Sequence, residues 1–172
     1  MIKKPSYIIL DVDGVMTTGK FLYSSTGKIF KEFGAHDNDG IKLVKQFFKI
    51  QFITADKRGY LISKKRIVDD MKQSLKLIPE RQRYDYLNKK FGLKNIVYFG
   101  DGIFDAKILK NCAFGIAPQN ATTDARKSAD FITKRNSGDG AVLEGCIKIL
   151  SKYKIKFDIL IINLKVNFYF NF

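Results

Sequence analysis

No apolar run in this chain is long enough to cross a bilayer. The longest in the hydrophobic stretch that ends it is Ile159–Ile162, interrupted on either side by Asp158, Asn163, Lys165 and Asn167, whereas a spanning helix needs about 20 apolar residues. No membrane partner is expected. The opening Met1-Ile2-Lys3-Lys4-Pro5 is basic, but the apolar run behind it stops at Asp11, too short for a secretory leader. Cysteine is scarce: Cys112 and Cys146 stand far apart, match no C-x-x-C pattern and lie in apolar stretches. Two buried thiols in a reducing cytosol are predicted. Acidic residues are few, 17 against 31 Lys and Arg, for a net charge of +14. The lysines are spread along the chain with no block of five like charges, so no specific nucleic-acid partner is expected, although a general positive field would help collect phosphate esters. Internal repeats and an interdomain linker are also missing.

What remains is a chain of 172 residues, 45% hydrophobic and 28% charged. That suits one domain with a real core. Its organising stretch is Tyr7-Ile8-Ile9-Leu10-Asp11-Val12-Asp13-Gly14-Val15, an apolar run that ends in two carboxylates one residue apart. A continuously apolar segment reads as a parallel strand buried on both faces, and sites of open α/β sheets lie at the carboxyl ends of such strands. Two carboxylates there suit a hard cation such as magnesium.

Two further apolar runs end in polar signals, Phe52-Ile53-Thr54-Ala55 and Tyr98-Phe99-Gly100-Asp101-Gly102-Ile103-Phe104-Asp105. With DVDGV in front, this order resembles the haloacid dehalogenase-like phosphatase superfamily. Asp13-Gly14-Val15-Met16-Thr17-Thr18-Gly19, Phe33-Gly34-Ala35-His36-Asp37-Asn38-Asp39-Gly40 and Gly138-Asp139-Gly140-Ala141-Val142 are similar to its small cap-less members. Those act on 3-deoxy-D-manno-octulosonate 8-phosphate and related nine-carbon sugar acid phosphates, and the resemblance covers about residues 5–150.

The resemblance implies a Mg2+-dependent phosphomonoesterase of lipopolysaccharide biosynthesis, cytoplasmic and homotetrameric, with a small phosphorylated substrate. Asp11 would be the nucleophile and Asp13 the acid/base, its carboxyl kept neutral by nearby acids. Thr54 and Ala55 would hold the phosphoryl group, and Asp11, Asp101, Asp105 and the backbone carbonyl of Asp13 the metal. His36 and Asp37 are candidates for substrate contact. The family places a lysine near the start of the helix before the Gly-Asp strand, which counting back from Gly92 puts at or near Arg81, with Lys76 as a substitute. Arg81 is a departure, because a planar guanidinium does not replace a point charge neutrally. Asp56 and Lys57 likewise depart from the Gly-Arg that usually follows the threonine. Alternatives are a phosphatase for another small phosphorylated metabolite, or a non-catalytic phospho-accepting scaffold. Asp13 argues against a lasting phospho-switch, since it offers the intermediate a route to hydrolysis.

Strands alternating with helices predict a doubly wound, Rossmann-like parallel α/β sheet. Between Gly19 and Phe33, two aromatic and β-branched runs around Gly27 predict a β-hairpin, which the resemblance sets in place of a large cap domain. Helices are expected from Asp37 to about Lys49, over Leu61–Met71, from Pro79 to Gly92, over Ile103–Lys110 and Ala121–Ser128, and from Gly140 to Tyr153. The domain is predicted to span residues 1–153. The remaining 154–172, with Val166, Phe168, Phe170 and Phe172 alternating with polar or tyrosine positions, read as an edge strand or interface segment.

Overall fold

The computed structural model describes residues 3–156. The sheet-forming strands are β1 (Tyr7–Asp11), β4 (Lys49–Thr54), β5 (Leu75–Leu77), β6 (Ile96–Phe99), β7 (Phe114–Ala117) and β8 (Phe131–Ile132), and β2 (Thr17–Ser24) with β3 (Gly27–Phe33) forms a separate antiparallel hairpin. The helices are α1 (His36–Val44), α2 (Tyr60–Lys64), α3 (Glu80–Phe91), α4 (Ala106–Asn111), α5 (Thr123–Ser128) and α6 (Ala141–Lys152). The six-stranded sheet has the order β5-β4-β1-β6-β7-β8, and every pairing is parallel. This is the doubly wound α/β fold, with the hairpin as its insertion and no large cap among the described residues.

Alternation along the strands makes two cores. Ile8, Leu10, Phe52 and Phe99 face one side, where α1 and α6 contribute Ile41, Val44, Val142, Cys146 and Ile149. Ile9, Ile53 and Tyr98 face the other, against Leu87 of α3, Ile108 and Leu109 of α4, and Ala125 of α5. Both cysteines are free and buried, Cys146 in the first core and Cys112 in the second. Burial pushes the Cys112 thiol up to about 12, so it behaves as a small hydrophobe.

The chain runs outward from β1 to β4 and β5, then returns to build β6, β7 and β8 on the opposite edge. The order therefore reverses beside β1, and the crevice at the carboxyl ends of β1 and β6 is the natural place for a ligand. Pro79 caps α3 from outside its first turn, and Gly92 closes it at φ +75°, a left-handed conformation that favours glycine. α2 widens into a π-helical turn over Lys65–Asp70, closed by Met71 N–H donating to Arg66 C=O at 3.1 Å. No helix among the described residues is long and apolar enough to cross a membrane. The alternating segment Val166–Phe172 lies outside the described residues.

Candidate active site

β1 ends in Asp11, and the chain turns at once because Val12 C=O accepts from both Met16 N–H and Thr17 N–H, at 2.9 and 3.0 Å. Within that turn Gly14 has φ +83°, and a Cβ built on it would lie 2.0 Å from Asp101 Oδ2. Only glycine lets the end of β6 come this near to β1. Asp11, Asp101 and Asp105 consequently converge, each offering a carboxylate oxygen within 4.8 Å of the others.

Arg83 reaches this group from α3. Its Nη1 donates to Asp11 Oδ2 at 2.9 Å and to Asp105 Oδ1 at 2.7 Å, and its Nη2 donates to Asp11 Oδ1 at 3.3 Å. Tyr98 Oη donates to Asp105 Oδ1 at 2.5 Å, while Asp105 Oδ2 accepts the backbone N–H groups of Asp101 and Gly102 at 3.1 and 3.0 Å. Burial, with Asp105 and Asp13 nearby, pushes the Asp11 carboxyl up to about 7 in spite of Arg83. Asp101 is pushed up to about 8, by burial first and then by Asp11 and Asp105. Arg83 stays charged, because the acids around it outweigh its burial. Three ionised carboxylates against one guanidinium would leave two negative charges; burial first, and then this crowding of acids, is what raises Asp11 and Asp101. An all-oxygen group of this charge fits a divalent hard cation.

The opposite side is built by the hairpin. Lys31, with no exposed side-chain surface, sends Nζ to Asp13, 2.9 Å from Oδ2 as a hydrogen bond and 2.7 Å from Oδ1, where the angle is too bent for one. The same ammonium donates to Ser63 Oγ at 2.8 Å and pairs with Asp56 Oδ2 at 2.9 Å. Lys28 also binds Asp56, beneath the Phe21 ring at 3.3 Å from its centroid. Burial alone would raise the Asp56 carboxyl, but Lys28 and Lys31 overcome it and hold the group well below the usual range. Thr54 Oγ1 donates to Asp13 Oδ2 at 3.0 Å and accepts from Asp56 N–H at 3.1 Å. Between the two sides lies a cavity of about 680 Å³.

Residues 82–144 match a family model described as haloacid dehalogenase-like hydrolase. The 3-deoxy-D-manno-octulosonate 8-phosphate phosphatase of Haemophilus influenzae is 30% identical over 143 residues, covering 80% of this chain and 78% of its own. The chain belongs to the haloacid dehalogenase-like hydrolases. Among solved structures, the same-named phosphatase of Moraxella catarrhalis, in complex with magnesium ion, phosphate ion and KDO, superposes with a TM-score of 0.74. It is 27% identical and covers 86% of each chain. The cobalt-bound Haemophilus influenzae deoxy-D-mannose-octulosonate 8-phosphate phosphatase, 22% identical with a TM-score of 0.75 over 90% of this chain and 89% of that one, adds support for the fold.

As a hydrolase of this family the chain brings Asp11, Asp13, Thr54, Ala55, Asp101 and Asp105 around one cavity, Thr54 through its bond to Asp13. Several expected placements need correction. Arg83, not Arg81, is the cation that binds Asp11: Arg83 and Leu87 share the buried face of α3, whereas Arg81, two residues and about 200° of helix away, is exposed. Lys76 is no substitute, being exposed and lying over the Tyr86 ring. Asp37 is wholly buried away from the cavity, where it accepts Val142 N–H at 2.9 Å and Gly140 N–H at 3.3 Å and so secures the start of α6. His36 lines a separate cavity of about 390 Å³ with Lys134, Arg135 and Glu144. The side chain of Asp13 also stands outside the metal-ready trio, and its neighbour is the Lys31 cation rather than the acids expected there.

Lys31, Lys28 and Tyr98 were missed. Lys31 had no distinct signal, because it shares β3 with Lys28 and is followed at once by Glu32.

Proposed function

We propose that the chain hydrolyses the phosphate monoester of a sugar acid, 3-deoxy-D-manno-octulosonate 8-phosphate or a close relative, by way of a phosphoaspartyl intermediate on Asp11. The observation that carries this is the pairing, across one cavity, of the carboxylate trio Asp11, Asp101 and Asp105 with a separate carboxyl at Asp13, held by Lys31 and Thr54. Magnesium is the proposed cofactor; when bound at that trio it neutralises charge between the nucleophile and the phosphoryl oxygens.

Arg83 grips both oxygens of Asp11 and so fixes the carboxylate that attacks phosphorus. As the P–O bond to the sugar breaks, Asp13 gives the leaving oxygen a proton, aimed by its bonds from Lys31 and Thr54. Asp13 then takes a proton from water as that water attacks phosphorus, which frees inorganic phosphate and restores Asp11. Ala55, at the loop beside Thr54, lines the cavity where the phosphoryl group would sit.

A cytoplasmic homotetramer is part of the same reading. It is supported by the two reduced, buried thiols and by Leu22, Tyr23 and Phe30, which leave 63%, 52% and 61% of their surface exposed on the hairpin.

The test is phosphate release from 3-deoxy-D-manno-octulosonate 8-phosphate beside a panel of sugar phosphates, with and without magnesium. Asp11→Asn should lower kcat on the order of 10⁴-fold or more. Release from other esters alone would keep the chemistry and move the substrate. Absence of release from every ester would point to a phospho-accepting, non-catalytic protein.

A further inference from the structure

Tyr98 is the largest wholly buried side chain among the described residues, and its ring lies in the second core with Ile9, Ile53 and Leu87. Its hydroxyl does not end among those apolar groups. It donates to Asp105 Oδ1 at 2.5 Å and accepts from Arg83 Nη1 at 3.3 Å. Gly100 makes room for this reach: a Cβ built on it would lie 2.7 Å from Tyr98 Cε1 and 2.7 Å from Asp105 Cβ, so ring and carboxylate meet only because residue 100 has no side chain.

Phenol, carboxylate and guanidinium touch pairwise, since Arg83 Nη1 also donates to Asp105 Oδ1 at 2.7 Å. Asp105 thus accepts two hydrogen bonds on each oxygen, from Tyr98 and Arg83 on Oδ1 and from the backbone of Asp101 and Gly102 on Oδ2. That fills the lone-pair sites of a carboxylate, and its charge is directed at Arg83. The rest of the guanidinium is held less firmly. Nε is buried with no hydrogen-bond partner among the described residues, and Nη2 reaches Asp11 Oδ1 at 3.3 Å, against 2.9 Å for Nη1 to Asp11 Oδ2. The fork therefore sits on Asp11 as the position of Nη1 dictates, and Nη1 is pinned from behind by Asp105 and Tyr98. A phenylalanine would fill the same space in the core; the hydroxyl adds only the contacts with Asp105 and Arg83.

We propose that Tyr98 is a positioning residue for the nucleophile: together with Asp105 it sets the Arg83 fork on Asp11, so that the attacking carboxylate is aimed from the core side of β6. This rests on the reading of Asp11 as the nucleophile of a phosphatase and adds how its counter-ion is held. Tyr98 has no exposed surface and does not line the cavity, so it acts through Arg83.

The experiment uses Tyr98→Phe, which removes the hydroxyl and keeps the ring. On the fastest ester of the panel at saturating magnesium, kcat should fall roughly 10- to 100-fold, as a small misplacement of a reacting group does, with KM within about 3-fold of the wild type. In an Arg83→Lys background the same substitution should lower kcat by no more than about 3-fold, because the fork that Tyr98 aims is already gone. A Tyr98→Phe variant that melts earlier but keeps the wild-type kcat, or that loses the same factor in both backgrounds, would make Tyr98 a packing residue and overturn the proposal. The metal-free protein gives a readout without turnover. In magnetic resonance spectra of protein labelled in its arginine nitrogens, the Arg83 Nη signal, identified by its absence from Arg83→Lys, should exchange with water at least about tenfold faster in Tyr98→Phe than in the wild type. No turnover of any ester by the wild type, with that difference in exchange present, would sink the phosphatase reading and leave the clamp on Arg83 standing. Turnover with no difference in exchange would do the reverse.

Discussion

The two sides of the cavity carry similar groups in opposite balance. On the sheet side, Asp11, Asp101 and Asp105 face a single Arg83, and two negative charges are left over. On the hairpin side, Asp13 and Asp56 face Lys28 and Lys31, and the charges cancel. The difference shows in the carboxyls themselves: Asp11 and Asp101 are raised to about 7 and about 8, whereas Asp56 is held far down. A buried group that is short of cations is completed by a ligand; one that is neutral is finished as folded. In the proposed reading the sheet side is the metal and phosphate end, and the hairpin side is the scaffolding that positions Asp13.

Removing the one cation of the sheet side should have the largest effect on the fold. Arg83→Met leaves three carboxylates unopposed, and breaking a buried ion pair costs about 3–5 kcal/mol. Chemical denaturation should show that loss in the metal-free protein, and magnesium should recover a good part of it by binding only the folded form. Arg83→Lys keeps the charge but gives up the two-pronged grip on Asp11, so its loss should be smaller, about 1 kcal/mol. Equal losses for the two variants, or no recovery with magnesium, would remove the distinction between the sides.

The matching change on the hairpin side is Lys31→Met. Asp56 keeps Lys28 and Asp13 keeps Thr54, so the penalty is that of partly unsatisfied buried acceptors, about 2 kcal/mol. Magnesium should add no more stability to this variant than to the wild type, because the missing charge lies outside the trio. Turnover should fall as well, since Asp13 loses the group that orients it.

This side was also the harder one to read from the chain. Asp11 and Thr54 end apolar strands and Asp101 follows one closely, so local pattern announced them, while Asp105, in the turn beyond β6, came with the Gly-Asp motif; the sheet and its helices followed from the same alternation. Arg83 was misplaced by two residues because a count from Gly92 does not see which face of α3 is buried; that face carries Leu87 and, one turn before it, Arg83. Asp37 looked like a loop carboxylate, yet it caps α6, more than 100 residues along the chain. Lys31 meets Asp13, Asp56 and Ser63 from three separate segments. No spacing rule brings those segments together; only the way the hairpin folds back on the sheet does.

The smallest expected effect is on pH dependence, and it separates the two sides without any mutation. The Asp11 and Asp101 carboxyls lie above the ordinary 3.8. The folded protein therefore keeps protons that the unfolded chain has released, and raising the pH from about 4 toward 8 removes stability. Asp56 works in the other direction, but its contribution is complete once the pH exceeds the ordinary carboxylate value, so it adds no slope above about pH 5. Melting temperatures of the metal-free protein should accordingly fall between about pH 5 and pH 8. Magnesium needs the deprotonated trio, so its apparent affinity should rise roughly tenfold per pH unit up to about pH 7 for each proton displaced. Saturating magnesium should then flatten the melting curve against pH. A slope that survives magnesium would place the titrating groups elsewhere, and the charge deficit at Asp11 and Asp101 would no longer explain why this end of the cavity takes a cation.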